Sequence, residues 1–120
     1  YFDIDFIAGK NGEIFVNESN VRVTGGTHMY NAAIELAGRD FTKKSYVLCE
    51  NMHKLPEKSK FKFEALLATM KPILFSRKTR EGLVICSSNA LPNYLSYIIF
   101  GRNKKRAEMI ETEMKKLLGE

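Results

Sequence analysis

Cysteine is scarce in this chain. Cys49 and Cys86 each stand alone inside apolar stretches, with no CxxC pair and no knuckle of metal-ligand spacing. That argues against a disulfide framework and leaves both thiols as small buried hydrophobes of a reducing, cytoplasmic compartment. No continuous apolar run is long enough to span a bilayer, so no membrane insertion is expected in this segment. No secretory leader is visible, and the chain opens on Tyr1 rather than Met, as an excised piece of a longer protein would. Catalytic signatures are missing too: there is no GxSxG elbow, no glycine loop to cradle phosphate and no HExxH helix. His28 and His53 lie far apart, and neither has a cysteine or carboxylate at ligand spacing, so neither a metal site nor a catalytic histidine is expected. Asp3 and Asp5 share one face of a first strand and read as solvent-facing edge charges. As an isolated domain, the chain is not expected to be an enzyme.

What is present is ordinary in amount and informative in order. The 120 residues suffice for one domain with a real core. The formal charge of +5 is spread over Lys43–Lys44, Lys54–Lys62, Arg77–Arg80 and Arg102–Arg106, which reads as solvated surface. The alternative is a small basic nucleic-acid-binding protein using Lys43–Lys62 and Arg77–Arg80.

Alternation in FDIDFIAGKNGEIFVNE predicts a hairpin, with Phe2, Ile4 and Phe6 on one face before a Gly9–Glu13 turn and Ile14 and Val16 on one face after it. Thr27 is placed to cap a short helix that Gly38 ends. A second helix is expected over Ser45–Leu55, stopped by Pro56. FEALLATM is ambiguous between helix and strand. Then ILFSRKT, LVICSSNALP and YLSYIIFG, punctuated by Arg80-Glu81-Gly82 and by Pro92-Asn93, predict an antiparallel meander. The expected fold is α+β: a five-stranded antiparallel sheet with helices over residues 27–55 on one face and a C-terminal exit helix over 102–120. In that helix Ala107, Ile110, Met114 and Leu117 form an a/d seam, too short to be stable alone. It is expected to pair with its own copy in a homodimer, or else to pack on its own domain.

This order resembles the PAS domain, the sensory module of bacterial signalling proteins. Asn11-Gly12-Glu13-Ile14 with Val16-Asn17 is similar to that family's hairpin, and Gly25 and Gly38-Arg39 resemble its later glycines. Gly101-Arg102-Asn103 through Lys105-Arg106-Ala107-Glu108 resembles its exit sequence. Two departures stand out: the Gly25–Gly38 spacing is longer than usual, and Asn103 replaces the customary aspartate.

The resemblance implies a sensory core over 1–101 and a linker helix over 102–120, leading to a covalently attached output module such as a histidine kinase or a transcription activator. Function would then be non-catalytic: sensory coupling and dimerisation in a signal-transduction or transcription-regulatory protein. A small-molecule pocket is expected from His28, Tyr30, Ile34, Met52, Phe75, Ile85, Ser87 and Asn89, with Phe15, Leu48, Ile73 and Ile99 as further lining. No cofactor is expected. Phe41 stands where the flavin-binding branch of the family has its reactive cysteine, and His53, the one histidine in the region that ligates haem in relatives, is flanked by lysines and Pro56.

Overall fold

The computed structural model describes residues 2–23, 25–56, 62–88 and 93–120, with the backbone alone at Ser87 and Ser88. Among them are four α-helices and five strands, an α+β composition. The chain divides into two compact units, Tyr1–Ala32 and Ala33–Glu120.

In the first unit β1 (Asp3–Ala8) and β2 (Ile14–Asn20) pair antiparallel as a two-stranded sheet. The turn is where the sequence puts it. The Gly9 N–H donates to the Glu13 carbonyl at 2.8 Å, and Gly12 takes φ +85°. Asp5 lies opposite Glu18 and Phe6 opposite Val16, so Asn17 is one residue too many and bulges. Helix α1 (Gly25–Ala37) begins before Thr27, which therefore lies within the first turn rather than ahead of it. Gly38 at φ +89° ends the helix, its N–H donating to the Ile34 carbonyl.

The expected single five-stranded sheet does not form. The sheet is split, two strands in the first unit and three in the second, and the second sheet has the order β3-β5-β4. Its edge strand β3 (Tyr46–Lys54) occupies the stretch expected as a helix. Register explains why periodicity misled there. Pairing with β5 slips between Glu50 and His53, so the alternation of a strand breaks midway and imitates no clean period at all. A further correction concerns ILFSRKT, which is not a strand. Lys71–Ile73 form a 3₁₀ turn with Pro72 at its start, and only Leu74 and Ser76 make isolated bridges. The meander is therefore replaced by a central β5 (Tyr94–Gly101), antiparallel to β3 on one side and to β4 (Gly82–Ser88) on the other. Pro92 lies outside the described residues.

β5 is the spine of the second unit. Leu95, Tyr97 and Ile99 point to one face and Ile98 and Phe100 to the other, all at most 2% exposed. A strand covered on both faces reads in sequence as a near-continuous apolar run, and YLSYIIFG is one, interrupted by Ser96. The first face carries the main core. There α3 (Phe63–Met70), the helical outcome for FEALLATM, adds Leu66 and Met70, and α4 (Lys104–Leu118) adds Ala107, Ile110, Met114 and Leu118. On the other face the Phe75 ring meets Phe100 edge-on, with centroids 5.1 Å apart. Short helix α2 (Phe41–Lys44) packs against β3 and buries Phe41.

The exit helix is well terminated. Asn103 is its N-cap, its Oδ1 accepting from the Arg106 N–H at 2.9 Å, and Gly119 closes it in the left-handed region. Among the described residues no helix is long and apolar enough to cross a membrane.

Candidate nucleic-acid interface

Register brings three separated basic runs to one end of the three-stranded sheet. Tyr46 of β3 lies opposite Gly101 and Gly82 of β4 opposite Phe100, so β3 and β4 begin where β5 ends. Lys43 and Lys44 immediately precede β3, Arg77, Lys78 and Arg80 precede β4, and Arg102, Lys104, Lys105 and Arg106 follow β5. Runs up to sixty residues apart in sequence thus share one edge of the domain. Apart from half-buried Arg106, all of these side chains are exposed.

Two carboxylates organise this end. Asp40 pairs with Lys44 one helical turn away. Its carboxyl is held below the usual range, chiefly by that Lys44 hydrogen bond, and the charge of Arg80 acts in the same direction. Glu81, whose side chain is 15% exposed, accepts from Arg106 Nε at 3.0 Å and from the Arg102 N–H at 3.1 Å, while Arg102 Nε lies 4.0 Å away. Burial pushes the Glu81 carboxyl up, yet the hydrogen bonds and charges of Arg106 and Arg102 outweigh it and hold the group below its ordinary value.

The backbone here is constrained. Arg80 at φ +56° and Gly82 at φ +126° turn the chain into β4, and Ser76 and Glu81 bridge across the turn. A Cβ at Gly82 would lie 2.6 Å from the Leu74 carbonyl oxygen. Gly101 lets the start of α4 approach β5, since a Cβ there would lie 2.5 Å from the Ala107 nitrogen.

The first turn of α4 holds no acid and three cations, at the end of a helix whose dipole disfavours positive charge. Lys104 is partly compensated by Glu108, 3.7 Å away. Beside this turn a cleft of about 450 Å³ is lined by Glu81, Arg102, Asn103, Lys105, Arg106 and Met109. A second, of about 390 Å³, continues from Glu81 and Arg106 past Pro72, Ile73 and Thr79. Such an edge can neutralise successive phosphates.

The residues singled out as a ligand pocket are distributed differently. His28 and Tyr30 are exposed on α1 in the first unit. In the second unit Met52 is 55% exposed on β3, and Ile34 is half-buried on α1. Phe75 lies against Phe100 on one face of the sheet, whereas Ile85 packs on the main core at the other. Ser87 is in β4, and Asn89 lies outside the described residues. Of the expected further lining, Leu48, Ile73 and Ile99 belong to the main core, and Phe15 is exposed on β2 in the first unit. The seam residues Ala107, Ile110 and Met114 are buried in their own domain's core, with Leu117 half-buried against it.

At the opposite end of the sheet His53 Nε2 meets Glu120 Oε1 at 2.9 Å and its ring meets Tyr97 edge-on. Tyr97 donates to Glu111 Oε1 at 2.8 Å. Lys54 lies at this far end, opposite Tyr94, so the Lys43–Lys62 stretch does not act as one patch. Lys58 and Lys60 lie outside the described residues. Cys49 and Cys86, on the two strands flanking β5, are not joined in a disulfide. Among the described residues no cluster of His, Cys, Asp and Glu could hold a metal ion.

Sequence reasoning missed Glu81. The signal available is the Arg80-Glu81-Gly82 turn itself, which places a carboxylate between two basic runs. Neither a protein-family model nor a curated protein matches this chain.

Proposed function

We propose that the Ala33–Glu120 unit is a binding module for a nucleic-acid backbone, working in the cytoplasm through the cationic end of its three-stranded sheet. The observation that carries this reading is the convergence of the Lys43–Lys44, Arg77–Arg80 and Arg102–Arg106 runs at the shared end of β3, β4 and β5. Phosphates bound there would release condensed counterions, so affinity should fall steeply with salt. Lys10 and Arg22 against Asp3, Asp5, Glu13 and Glu18 leave the first unit acidic, which concentrates the basic excess on the second. The test is fluorescence anisotropy of a labelled twenty-base-pair duplex and its single strand over a salt series. Binding with a linear, steep dependence of log K on log salt supports the reading, and no binding at low salt removes it.

The resemblance to PAS domains carries a second proposal: a sensory and dimerisation domain of a bacterial signalling or transcription-regulatory protein. One observation favours it. Two residues separate β5 from helix α4, and Glu120, just past the Gly119 cap of that helix, contacts His53 of β3, a link through which a change in the sheet would reach the helix end. Any dimer would need a surface other than the filled seam. Native mass spectrometry of the purified chain, reporting bound small molecules and oligomeric state together, tests this second reading.

A further inference from the structure

A partly buried carboxylate in the middle of a cationic surface needs a reason, because on charge alone it weakens anion binding. Glu81 sits at the end of the turn that carries Arg77, Lys78 and Arg80, and it bonds to both ends of the Arg102–Arg106 run. Its side chain thereby links those two runs through hydrogen bonds. Its backbone is fixed as well, since its carbonyl accepts from the Ser76 N–H at 2.9 Å and the next residue is the sterically locked Gly82. The Arg106 side chain is 40% exposed even while its Nε is engaged, and a guanidinium has further N–H donors beyond that one.

We infer that Glu81 is the positioning residue of this surface: it fixes the start of α4 against the turn before β4, so that the two arginine-rich runs present one preformed array to phosphate. This rests on the proposed nucleic-acid reading. An arginine held by a rigid carboxylate loses less freedom on binding than one that must be ordered by the ligand. Losing the clamp should therefore weaken binding even though it makes the domain more positive.

The sign of the effect is the test. Affinity for the labelled duplex is measured over a salt series for the unaltered chain and for three variants. Glu81→Gln removes the clamp and a negative charge. Glu108→Gln, at an exposed site one turn into α4, removes the same charge at the same end and leaves the clamp. Arg106→Lys keeps the charge and loses the Nε donor, and it probes the clamp independently should Glu81→Gln fold poorly. The expected result is that Glu108→Gln binds more tightly, while Glu81→Gln and Arg106→Lys each bind about tenfold more weakly, with a salt slope shallower by about one phosphate contact. Tighter binding by Glu81→Gln, matching Glu108→Gln, or unchanged binding by a folded Arg106→Lys, overturns the positioning role and leaves the nucleic-acid reading standing. Failure of the unaltered chain to bind either strand form at low salt overturns both.

Discussion

Tyr97 shows how much a single side chain carries in the second unit. It is 2% exposed, packs in the main core, and donates its hydroxyl hydrogen bond to Glu111. Burial raises its pKa, and the hydrogen bond and charge of Glu111 raise it further. A tyrosine whose folded pKa is raised contributes stability that is whole below the unfolded value of about 10 and is lost as pH rises beyond it. Unfolding in urea should thus show stability falling above that pH, and Tyr97→Phe should flatten the fall. At neutral pH the same change should be destabilising by about 1–2 kcal/mol, since a hydrogen bond to a charged group is lost. Glu81 has the opposite sign. Its folded pKa is depressed, so its contribution is present above about 4.5 and disappears as pH falls through the folded value. Glu81→Gln should make stability less sensitive to acid in that window, a measurement independent of any ligand. Gly82→Ala should be the most damaging small substitution at this end. Its Cβ would collide with the backbone of Leu74 and Phe75 at a φ of +126°, and circular dichroism melts should show a loss of at least about 2 kcal/mol.

At the level of elements, α4 is held by its cap, its seam and its seat on Gly101. Asn103 stands where the resembling family has aspartate, and it accepts the Arg106 N–H without adding a charge beside Glu81. Asn103→Ala should lower stability by about 1 kcal/mol and fray the first turn, visible as faster amide exchange at Lys105 and Arg106. The seam prediction separates packing from dimerisation. Ile110 is 4% exposed against the sheet, so Ile110→Asp together with Leu117→Asp should lower the melting temperature sharply and leave sedimentation unchanged. A fall in association without loss of stability would restore the dimer helix.

These elements also show which parts of the fold were legible. The hairpin turn, the Gly38 stop, β5 and α4 were readable because each is fixed locally, by turn residues, a near-continuous apolar run or a capped amphipathic period. β3 was not, because its strand character comes from pairing with β5, and the slip at Glu50–His53 erases its alternation. The split sheet and the β3-β5-β4 order are long-range facts that no local pattern encodes. For the candidate site the basic runs were visible, but their meeting was not. Spacing in the chain says nothing about which ends of which strands coincide, and the meander expected from short turns put β4 at the centre instead of β5.

For the molecule as a whole, the topology makes a prediction that composition alone does not. If +5 of net charge acted as a diffuse cloud, neutralising any exposed lysine would weaken nucleic-acid binding by the same amount. If the three runs act together, position decides. Lys44→Gln, Lys78→Gln and Lys105→Gln come from the three runs at one end of the sheet, and Lys116→Gln sits in the last turn of α4, at the other end of that helix from Lys105. Each of the first three should reduce affinity about two- to fivefold and lower the salt slope by about one, whatever the oligonucleotide sequence, because the contacts are to phosphate. Lys116→Gln should change neither quantity measurably. The triple variant should lose close to the product of the single effects, as sites without shared partners add in free energy. Equal losses at all four positions would mean that the convergence of the runs has no functional weight, and that the basic surface acts through net charge alone.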